Sequence, residues 1–262
     1  MRFATAVVAA MLLLTGALQG EDAQAVLARA RKQIESADYR ASGKLVTVDA
    51  KGKRTSYALT ILAHWFPGVL RALVEIVPPA ANSANLAGAV RMLLEMRPGG
   101  QDTIRIARLG GAGIEALPFE KWDEGLFGGA FSYADFLEPQ YYWQNQVLLK
   151  SAQFGTHLCD VLKSSPGSSD RTHYASVQTW LDHSIGYPVY AEKTLKGGDM
   201  VKEFTYIGLR QTAGVWSATQ VEAKVRGRQG STLLIVQRGS AKAHLSARDF
   251  SPEQITHFED HP

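Results

Sequence analysis

Seven histidines, one cysteine and 25 acidic residues are the groups this 262-residue chain could use for catalysis or metal binding. The histidines are His64, His157, His173, His183, His244, His257 and His261. No pair forms an HxH or HExxH motif, and none is spaced with Cys159 as a zinc site requires. Asp182-His183 is the single adjacent carboxylate–imidazole pair, just before Gly186. Adjacency along a chain does not aim two side chains at each other, so a turn at a strand end is the reading. Nucleophile motifs fail too: there is no GxSxG elbow, and no Ser stands three residues before a Lys. Gly111 to Ala116 matches the dinucleotide fingerprint in letters. That fingerprint must join a strand to a helix of a parallel sheet, and Pro118 would stop the helix. Cys159 sits among Leu158, Val161 and Leu162 without a cationic cluster, as a buried strand residue does. The expectation is a chain with no catalytic residue, no metal and no cofactor.

The first residues speak to the compartment. Arg2 is the only charge before an apolar run from Phe3 to Leu14, followed by Thr15-Gly16-Ala17 and then Glu21-Asp22. A basic start, a short apolar run and small residues make a cleavable signal peptide, predicted over residues 1–20, with cleavage after Ala17 or Gly20. The run falls short of the roughly 20 apolar residues that span a bilayer. No cysteine stands there to carry a lipid, so the mature protein is expected to be soluble. One cysteine also excludes an internal disulfide, and the remaining chain of roughly 245 residues is long enough to be held by its core. The formal charge is +3, with 28 basic residues scattered among the 25 acidic ones. That gives no electrostatic footprint for nucleic acid.

The elements that would position any site are mostly strands. Glu21 to Ala37 has helical spacing, with Val26, Leu27, Ala30 and Ile34 on one face. Strands are predicted at Tyr39–Val48, Thr55–Phe66, Val69–Val77, Val90–Met96 and Thr103–Leu109. A second series follows at Gln146–Gly155, His157–Lys163, His173–Leu181, Val189–Leu195, Met200–Leu209, Val215–Val225 and Thr232–Gln237. Gly- and Pro-bearing turns separate them, and Ser251-Pro252-Glu253 opens a last short helix. With no βαβ alternation and no linker, residues 21–262 read as one antiparallel domain whose sheet must curl to bury a face. Between the two series, Gly110 to Tyr142 has no period and is crowded with aromatics. It suits a plug for the open side of the sheet, or a lid over an apolar cavity with Gly128-Gly129 as its hinge.

Gly129-Ala-Phe-Ser-Tyr-Ala-Asp-Phe136, Gln178-Thr-Trp-Leu-Asp182 with Tyr187-Pro188, Lys202-Glu-Phe-Thr-Tyr206 and Asp249-Phe250-Ser-Pro252 together resemble the LolA-like proteins. These are outer-membrane lipoprotein-sorting proteins, and the resemblance spans most of the mature chain. It implies a mainly β fold: an incomplete, unclosed barrel with an N-terminal helix and a helical, aromatic lid over an apolar cavity. It also implies a non-catalytic, monomeric periplasmic protein that binds lipoprotein acyl chains or other lipids. Such a protein would move them from an inner-membrane exporter toward an outer-membrane acceptor. The alternative is a sensor module that uses the same cavity to read envelope lipids or lipoproteins, and a hydrolase ranks third. Cavity and lid candidates, chosen on aromatic content and strand position, are Trp65, Leu93, Trp122, Phe127, Phe131, Tyr133, Phe136, Trp143, Phe154 and Trp180.

Overall fold

The computed structural model describes residues 23–79, 88–108 and 113–256. The expected signal peptide, the loop at Asn82–Asn85, the start of the Gly111 fingerprint, and His257 and His261 lie outside the described residues. Helix α1 covers residues 23–35. Six strands follow: β1 (Asp38–Val48), β2 (Arg54–Phe66), β3 (Val69–Val77), β4 (Val90–Met96), β5 (Thr103–Arg108) and β6 (Ile114–Ala116). Eight more close the chain: β7 (Asn145–Leu148), β8 (Ala152–Phe154), β9 (His157–Ser165), β10 (Tyr174–Asp182), β11 (Pro188–Leu195), β12 (Val201–Thr212), β13 (Val215–Val225) and β14 (Ser231–Ser240). A short helix α2 runs from Pro252 to Thr256.

All described strands join one antiparallel sheet, ordered β6-β5-β4-β3-β2-β1-β14-β13-β12-β11-β10-β9-β7, with β8 beside β9. Each meander pairs with its chain neighbours, and the two are welded at the middle by β1 against β14. That weld needs Gly43, where a Cβ would stand 1.9 Å from the Ile235 carbonyl oxygen. The ends, β6 and β7, do not meet, so the sheet stays an unclosed barrel. This is the mainly β, incomplete-barrel architecture that the sequence led us to expect.

The segment between the edges, from Leu117 to Trp143, lies across the open concave face in four 3-10 turns. Its Leu117, Trp122, Leu126, Phe131 and Leu137 are buried in one cluster with Leu45, Leu59, Met92, Phe204 and Leu234 of the sheet. The outer face of β3–β5 is covered as well, where Leu245, Phe250 and Ile255 pack on Leu73, Leu93 and Ala107. Every residue of β4 is therefore buried, including the charged Arg91 and Glu95 that share the outer face with Leu93. Two expectations change. The strand expected at Gln146–Gly155 is two short strands, β7 and β8, both borne on β9, and β6 adds a three-residue edge.

Candidate functional site

Period-2 alternation sets the inner row of β2 as Tyr57, Leu59, Ile61, Ala63 and Trp65. Ala63 is the small member of that row, and the sheet is not filled in front of it. A cavity of about 280 Å³ lies there, lined mainly by apolar side chains. Its walls include Ile34 of α1, Leu70 of β3, Val221 of β13, and Leu234 and Val236 of β14. Phe136 of the crossing segment closes its inner side. The α1 end of the cavity is tied to the β12–β13 hairpin, since Gln33 Oε1 accepts the Trp216 N–H at 3.2 Å.

Few polar groups reach the cavity, and most have partners. Glu138 Oε1 accepts the Tyr206 hydroxyl at 3.0 Å. Burial pushes the Glu138 carboxyl above its ordinary range, against the pull of Lys193 and that hydrogen bond. The Asp38 carboxylate accepts the His244 and Leu245 N–H groups, each at 2.9 Å, and lies 3.2 Å from His64 Nδ1. Arg210, on the inner face of β12, is the one basic residue among the described residues of the lining.

A buried ionic knot holds the crossing segment down. Asp135 accepts Ser132 N–H at 2.8 Å and Ser132 Oγ–H at 2.7 Å, as a capping box. It also accepts the Tyr174 hydroxyl at 2.6 Å, Lys193 Nζ at 3.1 Å and Lys202 Nζ at 3.3 Å. Lys202 is shared with Asp123 at 2.7 Å. Burial alone would raise the Asp135 pKa. Lys193 and Lys202 overcome it and hold the carboxyl well below its ordinary range. Lys202 shifts up in turn, because Asp135 and Asp123 outweigh its burial.

Asp102, beside the same segment, shifts the other way. Burial, with Asp170 adding to it, raises its pKa to about 6 against the Arg97 N–H bond. The folded chain thus holds a proton between about pH 4 and 6 that the unfolded chain has lost. Stability contributed by this group is complete at lower pH and disappears as pH rises through that window. Asp102→Asn is expected to be more stable than the parent at pH 7 by roughly 2 kcal/mol, and about equal to it near pH 3.5. Urea melts at both pH values check this, and a difference that does not change with pH would place the proton elsewhere.

The ten aromatic and strand candidates do not gather around one cavity. Phe136 alone lines it. Trp122 and Phe131 are core residues, and Tyr133 packs partly buried against them. Trp65 stacks on Tyr142 at 5.8 Å. Phe127 is exposed on its free side and stacks on Tyr57 at 4.1 Å. Trp143 belongs to a separate cluster with Tyr174 and Val177. Leu93 faces the outer C-terminal cover, because Met92 and Leu94 take the inner positions of β4. Phe154 and Trp180 both pack on Tyr190, whose neighbours Val189 and Ala191 are buried on the other face. Of the expected hinge, Gly128 has φ +75° in open space, following Phe127 at φ 52°. Gly129 is extended and wedged, since a Cβ there would stand 2.3 Å from Thr232 Oγ1.

The histidines form pairs that no adjacency shows. His157 Nδ1 is 2.7 Å from Asp182, while His183 Nδ1 is 3.0 Å from Asp160. Asp182 and His183 thus serve different partners. Arg29 of α1 joins Asp160 at 2.7 Å, so these pairs tie the helix to β9 and β10. Among the described residues no group of three His, Cys, Asp or Glu could hold a metal ion. Cys159 is buried, and burial with the nearby Asp182 pushes its thiol up to about 11. Sequence reading missed Arg210, Lys193 and Lys202. Their signal was present: each is a cation at an inner position of a strand whose neighbours alternate.

A protein-family model described as "Uncharacterized protein" matches residues 119–257, just over half of the chain. No curated protein matches the sequence. Among solved structures, a domain from Vibrio parahaemolyticus assigned to the outer-membrane lipoprotein-sorting proteins superposes with TM-score 0.77 at 17% identity, covering 90% of this chain and 98% of that one. A DUF1329-family protein from Desulfovibrio piger also gives 0.77, at 14% identity over 89% of this chain and 99% of that one. A LolA-superfamily protein from Nitrosomonas europaea gives 0.66, at 16% identity over 87% and 97%. Likeness at such identities establishes the fold.

Proposed function

We propose that this chain, which belongs to the uncharacterized-protein family matched over residues 119–257 and has the LolA-like fold, binds the acyl chain of a lipid or lipid-modified protein and carries it through the bacterial envelope. The observation that carries the reading is the apolar cavity bounded by α1, the inner sheet face and Phe136. At about 30 Å³ per water-sized group, 280 Å³ admits roughly nine such groups, the scale of one acyl segment. Moving nine methylenes out of water supplies about 7 kcal/mol before the costs of ordering. That is enough to load a chain and still release it to an acceptor membrane. Binding of this kind needs no covalent step, and the reading is therefore a non-catalytic one. The predicted signal peptide supports a site of action in the periplasm.

Native mass spectrometry of the protein purified from periplasm without detergent tests the proposal. One equivalent of an acyl lipid or acylated peptide is the expected result, on a chain shortened by its leader. A bare chain that acquires nothing from phosphatidylglycerol–phosphatidylethanolamine vesicles would overturn it.

A further inference from the structure

We propose that the cavity is selective for a single-chain fatty acid, its alkyl chain along Ile61, Leu70 and Val221 and its carboxylate on Arg210. This rests on the acyl-binding reading above and deepens it to a head-group chemistry. Arg210 follows Phe204 and Tyr206 on the inner face of β12, the side of the cavity, and pairs in register with Ser217. An arginine at such a position is usually matched by a carboxylate. Here neither carboxylate of the cavity takes it. Asp38 is occupied by two backbone N–H groups and stands beside His64, and Glu138 accepts the Tyr206 hydroxyl. Arg210 makes no ion pair or hydrogen bond among the described residues, and its Nε is buried without a partner. A buried donor left unmade is costly, and a guanidinium fork is matched best by a planar two-oxygen anion.

The charge count favours one carboxylate. Arg210 is the sole cation among the described lining residues and faces a lining that already holds Asp38 and Glu138, so one anionic charge is the most its guanidinium can match, whereas a phosphomonoester would bring a second. The Asp38 carboxylate of the lining, held ionised by its backbone N–H bonds, disfavours a dianion further. The amide-linked and ester-linked chains of a lipoprotein carry no charge at their heads. The two cargo classes are therefore separable by experiment.

Competition of laurate, dodecyl phosphate and dodecanol against a fluorescent fatty-acid probe reads the head group at constant chain length. Laurate is expected to bind at least tenfold more tightly than dodecanol, and more tightly than dodecyl phosphate. Arg210→Met should erase the laurate advantage over dodecanol in a protein that melts cooperatively at no lower temperature than the parent, and Arg210→Lys should restore part of it. Equal binding of laurate and dodecanol by the parent protein would overturn the head-group assignment and leave acyl binding standing. Tighter binding of dodecyl phosphate would overturn the choice of carboxylate. Binding of none of the three would overturn this inference and the acyl-binding reading together.

Discussion

Asp135→Ala is expected to destabilise the protein by about 3–5 kcal/mol, the cost of leaving buried cations without their counter-charge. Lys193 and Asp135 expose 3% and 0% of their side chains, so water cannot substitute for the lost carboxylate. Lys202 retains Asp123, but Lys193 keeps no other ion-pair partner among the described residues. The attraction does not make the knot a net stabiliser relative to apolar packing. Asp135→Leu combined with Lys193→Met and Lys202→Met should recover most of the loss. The pH dependence follows from the lowered Asp135 pKa. Its contribution is complete above the ordinary carboxylate range and is lost only in strong acid, so the parent–variant gap should be flat from pH 8 to pH 5. Chemical denaturation across that range measures it. A loss under about 1 kcal/mol for the single change would mean that the cluster is hydrated in solution.

Ala63→Trp is expected to cut acyl-chain affinity tenfold or more while changing stability by less than about 1 kcal/mol. The inner row of β2 carries large residues at 57, 59, 61 and 65, and the small one at 63 is where the cavity lies. An indole at 63 would occupy the space in front of Ile34 and Phe136 rather than displace packed atoms. Probe titration and a thermal melt on the same sample separate loss of the cavity from loss of the fold. Unchanged affinity in a folded variant would place the chain elsewhere on the molecule.

Most strands were legible because alternation is a local property. Val69–Val77, Val90–Met96 and Val215–Val225 run between the residues that the pattern predicts. Gly155 divides β8 from β9 as expected, with φ +57° that glycine tolerates. The candidate site was less legible. Aromatic content marked the crossing segment correctly as the cover of the open face, yet only Phe136 among its aromatics meets the cavity. The other aromatics of the lining, Tyr39, Tyr187 and Trp216, stand outside the crossing segment, and aromatic crowding did not mark them. Leu93 shows the second reason: it shares its face of β4 with Arg91 and Glu95, and the C-terminal cover that buries that face is more than 150 residues away in sequence.

The sequence by itself determined the mainly β class, the positions of nearly all long strands, the amphipathic face of α1 and the burial of Cys159. These depend on spacing within a few residues. Tertiary structure alone decided which face of each strand turns inward against what, and where the sheet is left unfilled. It also decided which charges meet. Asp135 reaches Lys193 and Lys202 across separations of 58 and 67 residues, while Arg210 Nε is buried without a hydrogen-bond partner among the described residues. Burial and long-range pairing belong to the assembled sheet of all fourteen described strands, and no local pattern contains them.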